Sequence, residues 1–201
     1  MSVQFIQTPV GILALQDADA KLIRIAFLFG RRLAPNEKTP LELPGREQDL
    51  LESFSDSERR RIAEARYHDA YQKTDLLEQT KQELSEYFSG TRQEFNLRLN
   101  PQGTAFQRKV WHELAAVPYG STETYGGIAR RIGAPRSSRA VGMAMRENPI
   151  GIVLPCHRII SSSGKLTGYN GGLHRKSFLL NLEARHSGTI DNSAIIRRLR
   201  E

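Results

Sequence analysis

Two prolines fence off the most constraining stretch of the chain, Asn148-Pro-Ile-Gly-Ile-Val-Leu-Pro-Cys-His-Arg-Ile-Ile160. Ile150, Ile152, Val153 and Leu154 make an apolar run of strand length, rich in β-branched residues and broken at both ends. Pro155 fixes its own φ and drives Leu154 toward extended geometry. The run predicts a short buried strand that stops at a turn, with Cys156 at its mouth. Neighbouring side chains on an extended strand face opposite ways, so Cys156 and His157 should not touch directly. A turn or a water has to join them if they act together.

Cys156 is the only cysteine in 201 residues. A lone cysteine ordinarily serves as a small buried hydrophobe. Here an imidazole and a guanidinium follow at once, at His157 and Arg158. Such neighbours lower a thiol's pKa and make it nucleophilic. One cysteine makes no internal disulfide, and a free thiol suits a reducing compartment, so a cytoplasmic location is expected, or the nucleoid of a bacterium. No run of 18 apolar residues is present to cross a membrane. The N-terminus also lacks a basic stretch followed by an apolar one, the mark of a secretory signal.

Charge is divided unevenly. Residues 1–100 hold 14 Lys/Arg against 16 Asp/Glu, while residues 101–201 hold 15 against 6. The positive excess, net +7 for the chain, lies in the half that carries Cys156. A basic surface there attracts polyanions through counterion release, which points to nucleic acid.

In chain order, short apolar stretches at 3–6, 12–15 and 22–27 read as strands, with turns at Pro9/Gly11 and at residues 17–19. Residues 30–73 hold Pro35, Pro40, Pro44 and Gly45, then a charged stretch at 47–66. This is a loop and solvated helix, an insertion to which no chemistry is assigned. Leu76, Leu77, Leu84, Tyr87 and Phe88 show helical periodicity ending at Gly90, and read as core.

Thr104 with Gln107 forms a capping box, and Phe106, Val110, Trp111 and Leu114 share the core face of the helix that follows. Helices at 125–132 and 136–146, joined by Gly133-Ala134-Pro135, give a helix-turn-helix pattern, with Pro135 near the second helix's start. In that second helix Arg136, Arg139 and Arg146 alternate with Ser137, Ser138, Ala140, Gly142 and Ala144. Small residues permit close approach, and the arginines suit a phosphate backbone; tight packing in the core would account for Ala140 or Ala144 alone. Residues 161–164 read as a turn, 168–172 as a flexible loop with Tyr169 as a pocket wall, and 173–183 as a last helix packed through Phe178, Leu179 and Leu182. The basic tail is expected to fray.

Pro155-Cys-His-Arg158 followed by Ile159-Ile160 resembles the active-site signature of the O6-alkylguanine-DNA alkyltransferases. The resemblance runs from about Gly103 to Glu183, through Phe106-Gln-Arg-Lys-Val-Trp111, Pro118-Tyr-Gly120, Arg139-Ala-Val-Gly142, Asn148-Pro149 and Gly168-Tyr169. It implies an α/β (α+β) fold in two domains. A small N-terminal β-sheet domain with helices would span residues 1–100. A mainly helical C-terminal domain, with the helix-turn-helix and a short active-site strand, would span 101–186, leaving 187–201 as the tail.

The function implied is repair of double-stranded DNA. An alkyl group leaves O6-alkylguanine, with O4-alkylthymine a further candidate, for Cys156 in one irreversible, stoichiometric step after base flipping from the minor groove. His157 would act as base through a water, with Glu183 orienting it and Asn148 bracing the turn. Tyr125 would donate to guanine N3. Arg139 would replace the extruded base, with Arg136, Ser138, Ala140 and Arg146 along the groove. Tyr169, Met145, the carbonyls of Cys156 and Ile159 and the Asn170 N–H would form the pocket; a serine is common at Asn170 in the family, and a backbone donor survives the change. A monomer with no cofactor is implied, and with its one cysteine committed the chain is not expected to bind the zinc of some relatives.

Two other classes compete. Alkyltransferase-like proteins bind alkylated DNA without reacting and carry another residue, often tryptophan, at the cysteine position. A Cys-His hydrolase would need an oxyanion hole, for which the sequence has no motif.

Overall fold

The computed structural model describes residues 2–27 and 74–188. Three antiparallel strands open it, β1 (Ser2–Thr8), β2 (Gly11–Ala18) and β3 (Lys21–Phe27), lying in that order across the sheet. Leu13 and Leu15 on one face of β2 are fully buried, as strand periodicity requires. The second hairpin turns at Asp19 and Ala20, both at positive φ (52° and 53°), the pair of conformations that matches strand twist. The turn therefore falls later than residues 17–19. Asp17 stays in β2, where its carboxylate accepts from Ser2 N at 3.1 Å and Thr74 Oγ1 at 2.7 Å.

That contact leads into α1 (Asp75–Phe88), whose N-cap Thr74 accepts from Leu77 N. Leu77, Leu84 and Tyr87 form its buried face, and Gly90 at φ +79° follows its end. In the second half, α2 (Ala105–Ala115) begins with both bonds of the expected capping box. Val110, Trp111 and Leu114 are buried and Phe106 packs beside them.

Next come β4 (Glu123–Thr124), α3 (Tyr125–Arg131), α4 (Ser138–Arg146), a 3-10 turn at Cys156–Arg158, β5 (Ile159–Ile160) and α5 (Leu173–His186). The helix-turn-helix is present, but Pro135 and Arg136 lie in its turn, closed by Ser137 N on Ala134 O at 2.9 Å. In α5 the buried set is Arg175, Lys176, Leu179, Leu180 and Glu183. That spacing leaves Phe178 on the flank, 39% exposed, so it does not pack as the sequence led one to expect.

Residues 150–154 do not form the expected strand. Ile150 and Gly151 make only isolated bridges, to Ile25 and Leu154. Ile152 has φ +73°, an outlying conformation for a β-branched residue. Asn148 is the cause: its Nδ2 donates to Leu154 O at 2.8 Å and its Oδ1 accepts from Ile150 N at 3.0 Å. Leu154 N then closes onto Ile150 O at 2.9 Å. The apolar run signals burial, and burial is complete at Ile150 and Ile152 without extended pairing.

The edge of β3 receives residues 98–100 and the loop that leads to Cys156. Leu22 bonds to Arg98 and Asn100, and Ile25 N donates to Pro149 O at 2.8 Å. One apolar cluster runs from Leu13 and Leu22 through Leu84 and Trp111 to Ile150 and Leu179. The loop that leads to Cys156 is thus moored on a sheet edge. The insertion at 30–73 and residues 189–201 of the tail lie outside the described residues.

Candidate active site

Cys156 opens the 3-10 turn behind Pro155, and its N–H donates to Leu154 O at 2.8 Å. β5 follows at once and pairs in parallel with β4, which delivers Tyr125 as the first residue of α3. Tyr125 and Cys156 thereby face one cavity of about 380 Å³. Met145 and Gly142 from α4, Arg146 at its end, and Tyr169 and Asn170 from the 168–172 loop complete the wall. Tyr125 Oη donates to Thr167 O at 3.2 Å, with Gly168 O at 3.4 Å. Ile159, assigned to the pocket from sequence, is not among the lining residues. Its side chain is in the core and its carbonyl accepts from Lys176 Nζ at 2.5 Å.

Behind the turn lies a buried polar network centred on Glu183. Oε1 accepts from Tyr87 Oη at 2.7 Å and Arg158 NH2 at 3.0 Å, and meets His157 Nε2 at 2.7 Å. Oε2 accepts from Arg158 Nε at 2.9 Å and Gly120 N at 3.1 Å. Burial pushes this carboxyl up, but His157 and Arg158 outweigh it and hold Glu183 well below the usual carboxylate range.

An ionised carboxylate only accepts, so His157 Nε2 carries the proton and Nδ1 is left as an acceptor. Nδ1 is buried and has no partner among the described residues. Burial lowers the His157 pKa, with Arg158 and Lys176 adding to the effect against the pull of Glu183. The imidazole is therefore neutral at rest.

Burial also pushes the Cys156 thiol up, while a hydrogen bond from Asn148 and the charge of Lys176 draw it partly back. The sequence had assigned the lowering to His157 and Arg158. The Arg158 guanidinium is instead turned onto Glu183 and Val117 O, at 2.5 Å from the latter. The cation whose charge acts on the sulfur is Lys176, held by the carbonyls of Ile159 and Thr167 and brought down by burial to about 8.

Lys176 was not singled out from sequence, since a lysine inside a helix carries no local signal. Tyr87 was read as core, which is true of its ring only. Arg175 is a third omission. Its Nε donates to Val10 O at 2.6 Å and its NH1 to Gly171 O at 2.8 Å, and its guanidinium lies 4.8 Å from the centre of the Phe27 ring. Phe27 meets Tyr169 edge-on at 6.2 Å. The pocket loop is thereby tied to the N-terminal sheet.

On the outer face, Arg139 and Ala140 of α4 are exposed and Ser138 is half-buried. Arg136 in the turn and Arg146 at the helix end are exposed as well. Val141, Ala144 and Met145 form the inner face, and Trp111 Nε1 donates to Ala144 O at 2.8 Å. A Cβ added at Gly142 would meet only the Tyr125 ring, at 3.8 Å. The protein's own packing therefore does not demand glycine there.

Two family models match the chain in succession: the ribonuclease-like domain of 6-O-methylguanine DNA methyltransferase over residues 1–101, and its DNA binding domain over 105–185. A methylated-DNA–protein-cysteine methyltransferase of Methanosarcina barkeri is 45% identical over 183 residues, 91% of this chain and 97% of that protein. One from Mycolicibacterium paratuberculosis is 57% identical over 106 residues, 53% of this chain and 64% of that protein. Among solved structures, Mycobacterium tuberculosis OGT in complex with DNA aligns with a TM-score of 0.70 at 34% identity, over 92% of this chain and 94% of that one.

Proposed function

This chain belongs to the 6-O-methylguanine DNA methyltransferase family, and on that premise we propose that it repairs DNA by moving an alkyl group from guanine O6 to its own Cys156. One observation carries the reading. Cys156 lines the cavity, while His157 on the same turn commits Nε2 to Glu183 and keeps Nδ1 without a partner among the described residues.

At rest the sulfur is a thiol. Its proton passes through a water to His157 Nδ1, and Glu183 stabilises the imidazolium that forms. The thiolate attacks the alkyl carbon, the carbon–O6 bond breaks, and its electron pair stays on the purine. Tyr125 turns from the loop carbonyls to donate toward N3 as charge builds there. Asn148 keeps the turn in shape. The His157 imidazolium then gives its proton back through water and the purine anion takes one up at N1, so that the products are a thioether on Cys156 and an intact guanine, and no cofactor is needed.

Guanine O6 is stacked and paired within the duplex, so the base must first leave it, at a cost of a few kcal/mol. Arg139 fills the gap, and Arg136, Ser138, Ala140 and Arg146 follow the minor groove. Tyr169, Met145 and the Asn170 N–H receive the base. The Cys156 carbonyl already accepts from Ile159 N and the Ile159 carbonyl from Lys176 Nζ, so the exocyclic amine would use the second lone pair of either oxygen. Residues 1–100 and 101–186 act as two units of one monomer, in the cytoplasm or nucleoid. A cysteine lining the cavity disfavours the non-reacting damage binder.

Peptide mapping after incubation with DNA containing O6-methylguanine tests the reading. The methyl group should be found on Cys156, and Cys156→Ser should still bind DNA without taking it. A methyl group on another residue would overturn the assignment.

A further inference from the structure

Tyr87 stands 96 positions before Glu183 in sequence, yet the two side chains meet out of solvent. Its ring packs edge-on against Phe88 and Tyr119 and tilted against Phe95, at centroid distances of 5.4, 6.0 and 5.4 Å. A phenylalanine would supply those contacts equally well, so the hydroxyl needs a separate account. It lies 2.7 Å from Glu183 Oε1 and 3.4 Å from His157 Nε2. The ionised carboxylate can only accept, so the phenol proton points to Glu183.

We propose that Tyr87 is a positioning residue for alkyl transfer: its hydroxyl holds the Glu183 oxygen that receives His157 Nε2–H, and so limits how strongly that carboxylate draws the imidazole toward its charged form. The proposal rests on the roles given above to Cys156, His157 and Glu183. Burial, then the charge of Glu183, raise the Tyr87 pKa well above its ordinary value, so the donor persists throughout the working pH range.

Other groups also face the pair among the described residues. Gly120 N–H donates to the second Glu183 oxygen at 3.1 Å. The charge of Glu183 also reaches Tyr169 of the pocket loop, whose hydroxyl has no partner among the described residues. Arg158, from the 3-10 turn, spans both Glu183 oxygens. Lys176 faces His157 from α5 with its ammonium bonded to two carbonyls. Tyr119, from the connection after α2, is pushed up to about 12 by burial, and its hydroxyl has no partner among the described residues. Cys156 lies at the start of the turn. Of these, only Tyr87 shares with His157 an oxygen through a neutral donor, which tunes the carboxylate without adding charge.

Removing that donor leaves more of the Glu183 charge for the imidazolium. His157 becomes the stronger base, and Cys156 loses its proton at lower pH. In Tyr87→Phe the midpoint of the pH profile for Cys156 alkylation by iodoacetamide should move down by roughly 0.5 to 1 pH unit, the size of one hydrogen bond's net worth. On a Glu183→Gln background the same change should move nothing. Tyr119→Phe, which removes a hydroxyl without a partner, should leave the midpoint in place.

A difluorinated tyrosine at position 87 is a stronger donor of nearly the same size, and should move the midpoint upward. It carries the test if the phenylalanine variant does not fold. An unmoved midpoint in Tyr87→Phe and the fluorinated protein, with Glu183→Gln shifted, overturns the role of Tyr87 alone. If Glu183→Gln itself leaves the profile unchanged, the catalytic reading of the pair fails instead.

Discussion

Arg158 meets Glu183 side-on, Nε to one carboxylate oxygen at 2.9 Å and NH2 to the other at 3.0 Å, with both side chains out of solvent. A planar fork against a carboxylate is a geometry that lysine does not reproduce. Truncating one partner leaves the other charge buried and unpaired, which typically costs about 3–5 kcal/mol. Arg158→Ala should therefore lower unfolding free energy by about that amount in urea titration, and Arg158→Lys should recover only part of it. A loss within about 0.5 kcal/mol would show the pair to be dispensable.

Acid should weaken the fold through the same network. The Glu183 pKa is depressed in the folded state, so its contribution is present above the unfolded value of about 4.3 and is lost as pH falls below it. The His157 pKa is also lowered, so below about 6.5 the unfolded chain takes up a proton that the folded one resists, with the same sign. Melting temperature should begin to fall near pH 6.5 and fall faster below about 4.3. Glu183→Gln should flatten the lower limb; an unchanged slope there would contradict the shift.

Gly142→Ala should part stability from binding. The added methyl meets only the Tyr125 ring at an ordinary distance, and glycine inside a helix costs up to about 1 kcal/mol relative to alanine. The variant should be more stable in denaturant titration while binding duplex DNA less tightly. Undiminished binding would mean that this face of α4 does not approach the duplex closely.

Features set by neighbours in sequence were legible from the sequence. Thr104 and Gln107 announce α2, and Leu77, Leu84 and Tyr87 announce α1. The family was legible through the motif around Cys156. Among contacts between distant residues, only His157 with Glu183 came with the resemblance; nothing in sequence links Tyr87 to Glu183, Lys176 to Ile159 or Arg175 to Val10. The apolar run at 150–154 misled because hydrophobicity reports burial and not backbone shape. The side chain of Asn148 decided the shape by bonding at both ends of the run.

Arg139→Ala should separate base flipping from alkyl transfer. The side chain is exposed on α4 and does not line the cavity that holds Cys156. Repair of O6-methylguanine in duplex DNA should slow by roughly tenfold or more, the weight of an interaction worth over 1.4 kcal/mol. Reaction with the free modified base should change little. Equal losses on both substrates would remove the flipping role.

On the proposed chemistry each molecule acts once. A thioether offers water no electrophilic carbonyl, thiolate leaves alkyl carbon poorly, and Cys156 is the chain's only thiol. The direct test is to count methyl groups removed per chain under an excess of DNA containing O6-methylguanine, alongside the intact mass of the protein. The count should level off at about one per chain, with the added mass of a single methyl group. A count that keeps rising well past one per chain would mean true turnover, and would contradict the role given to Cys156.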